Sequence, residues 1–304
     1  MTETPSQKAL EWVRRQLDWP TSVESIQRLR GATSSSLYEL EARGATRSLR
    51  VILRMVDNPV WLEESPDVAH HEAEALRYAH HAGIPAPKLL DFDDHGHACG
   101  VPAVLMSKLT GVVDLGTGDL RRYLERLATA LGSIHRVDAS GFSRDYRPWF
   151  DVVSVRPPSW TSCADAWERS ISVVEAATPT TERCFLHRDY HPTNVLWVED
   201  AVSGIVDWPN ACVGPRGVDV AHCRVNLVAL HGQDAADVFL REYQTRTDPG
   251  YTHDPFWDLN SLLCQSREPP LYRPWLEFGA EISEQTVCTR RDDFLQAVLA
   301  ELGA

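Results

Sequence analysis

The stretch Phe185-Leu-His-Arg-Asp-Tyr-His-Pro-Thr-Asn-Val-Leu-Trp197, followed by Gly204-Ile-Val-Asp-Trp208, decides how the rest of the chain is read. It sets a His-x-Asp, His187 and Asp189, ahead of Asn194, and a β-branched run then delivers a second aspartate, Asp207. Three oxygen-bearing side chains around short apolar segments suit a magnesium-chelated nucleotide. Mg²⁺ takes hard oxygen ligands, usually one or two from protein with the rest from phosphate and water. A further carboxylate close by can accept the proton of an attacking hydroxyl. Asp and Asn also cap turns without any chemistry, but four matched positions in one order weigh against that reading.

The spacing is that of the kinase catalytic loop, His-Arg-Asp-x-x-x-x-Asn, with Asp207 where the second metal-binding Asp falls. Upstream, Gly31-Ala-Thr-Ser-Ser-Ser36 joins two strand-like pieces. A Gly followed by hydroxyls lets backbone N–H groups approach phosphate oxygens, so Gly31, Ser34, Ser35 and Ser36 are candidates for covering a nucleotide. No G-x-x-x-x-G-K-[ST] occurs, which excludes a P-loop nucleotidase at the level of motif. Ser48-Leu-Arg-Val-Ile-Leu-Arg-Met-Val56 alternates a basic with an apolar face. The lysines are Lys8, Lys88 and Lys108, none on this strand, so Arg54, with Arg50 second, is the candidate cation for the phosphates. The helix expected over Val68 to Ala82 ends at Gly83 and Pro85 and offers Glu72, ahead of Glu74, to brace that cation. The strand reaching Ser107-Lys-Leu-Thr-Gly111 breaks into a hinge, whose Ser107 and Leu109 could meet an adenine edge through the backbone.

Beyond the hinge the pattern turns helical, with Leu124, Leu127, Leu131 and Ile134 on one face of Leu120 to His135. A Pro- and aromatic-rich excursion, from Tyr146-Arg-Pro-Trp-Phe150 to Pro157-Pro-Ser-Trp160, suits either a substrate-binding element or a surface loop. After the central block, Asp219 starts a helix, as an N-cap or as a brace for the catalytic loop.

A chain of 304 residues can bury a sizeable core, and 43% hydrophobic with 24% charged residues fit a soluble globular protein. No apolar run is long enough to span a membrane. The N-terminus lacks the basic-then-apolar build of a signal peptide, so the expected location is cytoplasmic. Seven scattered cysteines without C-x-x-C point to reduced thiols. Histidines cluster at His70-His71, His80-His81 and His95 to His97, where solvated faces are the simpler reading than a transition-metal site. A net charge of −13 disfavours nucleic acid and suits approach of a cationic small molecule.

These pieces together resemble the aminoglycoside phosphotransferase family of small-molecule kinases. The most specific are Leu186-His-Arg-Asp-Tyr-His-Pro-Thr-Asn-Val-Leu196 and Gly204-Ile-Val-Asp-Trp208. Gly31 to Ser36, His71-Glu-Ala-Glu-Ala-Leu76, Ile84 to Pro87, Leu105 to Gly111 and Gly214 to Asp219 continue the likeness. It implies an α+β, two-lobed protein-kinase-like fold: an N-lobe of antiparallel sheet plus helix over residues 1–106, a hinge over 107–111, and a mainly helical C-lobe over 112–304 carrying the catalytic loop and the acceptor site. It also implies Asp189 as catalytic base, Asn194 and Asp207 as Mg²⁺ ligands, and Glu72 as partner of the phosphate-holding cation. Arg54 stands where Lys is usual, and Arg188 where Gly is usual. The implied activity moves the γ-phosphate of ATP, or GTP, with Mg²⁺, to a hydroxyl of a small molecule such as an aminoglycoside-type antibiotic. The alternatives are a metabolic kinase acting on choline, homoserine or a sugar, and a nucleotide-binding pseudokinase. A protein kinase is set aside, because the chain runs from Asp207 through Gly217 into a helix with no activation segment or Ala-Pro-Glu.

Overall fold

Alternation in Ser36-Leu-Tyr-Glu-Leu-Glu-Ala-Arg43 turns Ser36, Tyr38, Leu40 and Ala42 inward, and this strand anchors a sheet. The computed structural model describes residues 4–17, 22–32, 34–176, 179, 182–247, 249–266 and 270–303. The chain divides into two units, Met1–Gly111 with Ser203–Ala211, and Val112–Val202 with Cys212–Ala304.

The first unit opens with helix α1 (Gln7–Gln16), capped by Ser6, whose hydroxyl accepts from the Ala9 amide at 3.2 Å. Strands β1 (Ser22–Arg28), β2 (Ser36–Arg43) and β3 (Ser48–Met55) follow, then helices α2 (Pro59–Glu64) and α3 (Val68–His81). Strands β4 (Leu89–Asp93) and β5 (Ala103–Ser107) complete a five-stranded antiparallel sheet in the order β1-β2-β3-β5-β4. One face of that sheet, with Tyr38, Leu40, Val51, Leu53 and Leu105, packs against Ala9, Trp12 and Val13 of α1. Helix α3 packs on β4 and β5.

The second unit begins with β6 (Val112–Val113), α4 (Leu120–His135) and α5 (Ala164–Ala176). Asp119 caps α4 through the Arg122 amide at 3.1 Å, and Leu124, Leu127, Leu131 and Ile134 are buried, as their spacing predicts. Strand β7 (Arg183–Leu186) leads into the central loop, whose 3₁₀ turn Pro192–Asn194 passes directly into β8 (Val195–Val198). Strand β9 (Ala201–Ile205) carries the chain into the first unit, and β10 (Cys212–Pro215) returns it to pair antiparallel with β7. Helices α6 (Gly217–His231), α7 (Gln233–Thr247), α8 (Phe256–Cys264), α9 (Pro274–Glu277) and α10 (Glu284–Leu302) follow.

Helix α6 is buried without interruption from Gly217 to Ala229 and packs against α7, α8 and α10. Its first residue has no room for a side chain. A Cβ on Gly217 would lie 2.3 Å from Cδ1 of Trp257, which is 2% exposed. Overpacking of this kind costs about 1–3 kcal/mol. Gly217→Ala is therefore expected to lower the unfolding free energy by that amount in denaturant titration, moving the midpoint down, whereas Gly118→Ala, with open space around it, leaves the midpoint unchanged.

Candidate active site

Each unit gathers part of the expected site. In the first, Arg54 on β3 is 4% exposed at its side chain and lies between two carboxylates. Its Nε is 3.1 Å from Glu72 Oε2, and its Nη2 donates to Asp207 Oδ1 at 2.8 Å. Arg50 instead points outward, 59% exposed, beside Glu39 and Glu41. The segment bearing Asp207 is fixed within this unit by the Ile205 amide on Pro85 O at 2.8 Å and by a 2.6 Å bond between His71 Nε2 and Ala211 O. Asp207 itself adopts a left-handed φ of 72°.

Burial lifts the Glu72 carboxyl to about 7; Arg54 opposes that shift and Asp207 adds to it. The folded state therefore holds a proton that the unfolded chain releases near the ordinary carboxylate value of 4.5, so this group removes stability as pH climbs from there toward 7. Glu72→Gln should flatten the pH dependence of thermal unfolding across that window.

The serines of the small-residue turn have mixed surroundings. Gly31 takes a φ of 85°, the conformation that glycine adopts most readily, and the Leu29 amide closes the turn on Leu37 O at 2.9 Å. Ser35 and Ser36 are buried, and the Ser36 hydroxyl donates to Asp57 Oδ2 at 2.7 Å, while Ser34 is half-buried. Thr33 lies outside the described residues. Ser107 ends β5 and its hydroxyl accepts from the Lys88 amide at 2.8 Å; the Leu109 side chain packs where a Cβ on Gly204 would fall.

In the second unit, the loop after β7 is anchored from α6. Asp219 accepts from the His187 amide at 2.8 Å and the Arg188 amide at 2.7 Å, and from His135 Nε2 at 3.2 Å. Of the two readings of Asp219, the brace is the one observed, since α6 begins at Gly217. Burial alone would raise the Asp219 pKa, but the hydrogen bonds from His135 and the loop hold it below the usual range. Arg188 sits at φ 75°, where a glycine would be unstrained. Its guanidinium lies 3.8 Å from the Trp149 ring centroid and 4.6 Å from that of Tyr146, tying the aromatic excursion to the loop.

Asp189 follows, with its side chain 23% exposed. The Asn194 side-chain nitrogen donates to Asp189 O at 2.9 Å. His222 Nε2 lies 3.0 Å from Asp189 Oδ1, and Gln265 Nε2 meets the other ring nitrogen at 3.3 Å. With Gln265 donating, His222 carries its proton on Nε2 and donates to the carboxylate. Burial pushes the Asp189 pKa up, but the His222 hydrogen bond and the neighbouring imidazoles outweigh it, so the group is held far below the usual carboxylate range. It is an ionised acceptor at neutral pH. His191, Trp149 and Tyr272 stand around it: Trp149 meets the His222 ring at 6.0 Å between centroids and Tyr272 meets His191 at 5.8 Å.

His222 as a neighbour of Asp189 carried no signal in the sequence, since it arrives from helix α6, whereas His191 stands two residues beyond Asp189 in the loop itself. Asp258 is 2% exposed and spent on Arg224 and His253, both at 3.1 Å; Glu268 lies outside the described residues, while Glu277, Glu281 and Glu284 are exposed. Trp257 and Trp275 are core residues.

A profile described as the phosphotransferase enzyme family matches residues 25–256. Homoserine kinase of Beijerinckia indica subsp. indica is 30% identical over 139 residues, covering 42% of this chain and 42% of that protein. The chain thus matches less than half the length of the curated relatives it resembles. Among solved structures, aminoglycoside-3'-phosphotransferase of type VIII superposes with a TM-score of 0.59 at 21% identity, covering 86% of this chain and 99% of the other. Macrolide 2'-phosphotransferase MphH from Brachybacterium faecium gives 0.58 at 14% identity, covering 92% and 96%. These likenesses show the α+β protein-kinase-like fold.

Proposed function

Because the chain belongs to the phosphotransferase enzyme family, we propose that it transfers the γ-phosphate of ATP to a hydroxyl group of a small molecule. The observation that carries the proposal is the Asp189 carboxylate, ionised, partly open and fixed by His222, on a loop whose amides are held by Asp219. Such a carboxylate orients an acceptor alcohol and takes its proton as the phosphorus–oxygen bond forms. Arg54 is the cation assigned to the nucleotide phosphates, with Glu72 holding its guanidinium and the Gly31 to Ser36 turn lying over the phosphates. Backbone groups around Ser107 and Leu109 are assigned to the base. Asn194 and Asp207 are the residues that would hold Mg²⁺. The oxygen of Asn194 faces away from its own hydrogen-bonded amide, and Asp207 is 35% exposed, so each suits a hard cation. The metal, when bound, offsets charge that develops on the transferring phosphoryl group.

For the acceptor, an aminoglycoside-type or other antibiotic is the first reading, drawn from the family likeness. A second, a hydroxy amino acid such as homoserine, is favoured by the curated relatives and by the burial of Asp258, which removes one acid from any polyamine pocket. The test is Mg²⁺-dependent ADP release across a panel of aminoglycosides, macrolides, homoserine, choline and sugars. Turnover with one class assigns the acceptor. Nucleotide binding without turnover on any alcohol would favour a pseudokinase.

A further inference from the structure

Among the described residues, one group of three metal-ligating side chains has donor atoms all within 4.8 Å of one another: Asp189, His191 and His222. Asp189 Oδ1 lies 3.0 Å from His222 Nε2 and 3.8 Å from His191 Nε2. In tetrahedral zinc, bonds of about 2.0–2.1 Å separate neighbouring donors by roughly 3.3 Å, so small side-chain adjustments complete three corners. The remote ring nitrogens are engaged as well. His191 Nδ1 is 2.9 Å from the Thr193 hydroxyl, and His222 Nδ1 is 3.3 Å from the Gln265 amide. Partners of that kind fix the tautomer and tilt of a ligating imidazole. Both rings are buried, at 5% and 7% exposure, whereas the carboxylate is partly open, which leaves the fourth corner on the solvent side. Among the described residues the sequence-adjacent histidines supply no such group of three: His70 lies 3.5 Å from Glu74 and 3.7 Å from Asp94, and the His95 and His97 rings meet edge-on at 5.7 Å between centroids.

We infer that Asp189, His191 and His222 form a three-ligand site for a borderline divalent transition-metal ion, Zn²⁺ above all. Two imidazoles select Zn²⁺ over Mg²⁺, which prefers oxygen. Binding takes the His222 Nε2 lone pair, so the proton now donated to Asp189 moves to Nδ1. Gln265 then presents its carbonyl oxygen there after a turn of its amide. The ion also draws charge from the Asp189 carboxylate, lowering its capacity to take the alcohol proton. Bound Zn²⁺ is thereby an inhibitor of phosphoryl transfer, a consequence that rests on the function proposed above, whereas the site itself does not.

The experiment uses the full chain and Zn²⁺ alone, titrated against a fluorescent chelator, with Co²⁺ as a spectroscopic probe of ligand number. Expected are one bound ion, the intense visible bands of four-coordinate Co²⁺, and affinity lowered at least about tenfold in both His191→Gln and His222→Gln, the smallest loss typical even of an outer-shell partner. His97→Gln should bind as wild type. Absence of stoichiometric binding, a six-coordinate Co²⁺ spectrum, or affinity unchanged in both glutamine variants overturns the site. The Co²⁺ spectrum of the unmodified chain keeps the question decidable should a variant misfold. Zn²⁺ bound at this site in a protein that phosphorylates no alcohol would leave the site standing and count against the phosphotransferase reading instead. Undiminished turnover with the site filled would overturn the inhibition.

Discussion

Asp189→Asn is expected to lower kcat by about 10²–10⁴-fold, the range a positioned general base contributes, while leaving nucleotide binding intact. The amide has nearly the volume of the carboxylate but cannot take up the acceptor proton, and it meets the His222 Nε2–H, now 3.0 Å from Oδ1, through its oxygen alone. Stopped-flow measurement of the phosphoryl-transfer step separates this loss from slow product release. Wild-type turnover in the asparagine variant would remove Asp189 from the chemistry. The same carboxylate sets a pH expectation. Because its pKa is held far below the usual range, the acid limb of kcat/KM should not reflect Asp189 at any pH near neutrality. His222→Gln, which weakens that hold, should move the limb upward.

The second large effect belongs to Asp219→Ala. Its carboxylate is the acceptor for the His187 and Arg188 amides and for His135. Deleting it strands two buried backbone donors, each costing about 1–3 kcal/mol, so a loss of roughly 3–5 kcal/mol in unfolding free energy is expected, with activity falling because Asp189 loses its platform. Asp219→Asn keeps one acceptor oxygen and should lose less. The sign with pH follows from the depressed pKa: the contribution of this group is complete above the unfolded carboxylate value and is lost as pH falls through the folded one. Denaturant titrations from neutral to acidic pH would show a wild-type slope that the Asn variant lacks.

Periodicity was informative where one face is buried and the other wet. The helix expected over Leu120 to His135 has those ends; in β3 the expected alternation gives way to an exposed start, Ser48 to Arg50, followed by buried residues from Val51 to Arg54. It was uninformative for α6, whose burial on all sides leaves no polar stripe to count. Helix α10 runs from Glu284, and its first turns bury Val287 and Cys288 within a largely polar sequence that shows no clear period. The short helices α2 and α9 span too few residues for a period to register. The left-handed backbone at Arg188 accounts for the glycine usual at that position in the resembled family. Here the arginine is compensated by two aromatic rings that no local rule would connect to it. The His222 imidazole beside Asp189 depends on tertiary placement, which one sequence does not report.

The nine residues from Ser203 to Ala211 belong to the first unit although most of that unit ends at Gly111. Neither unit is therefore a contiguous stretch of the chain, and cutting at the obvious boundary would yield a fragment missing Asp207, one of the two acids that neutralise Arg54. A nascent chain likewise cannot finish its amino-terminal half until translation has moved past Ala211, so that the last piece of the first unit is delivered only after the loop bearing Asp189 has been made.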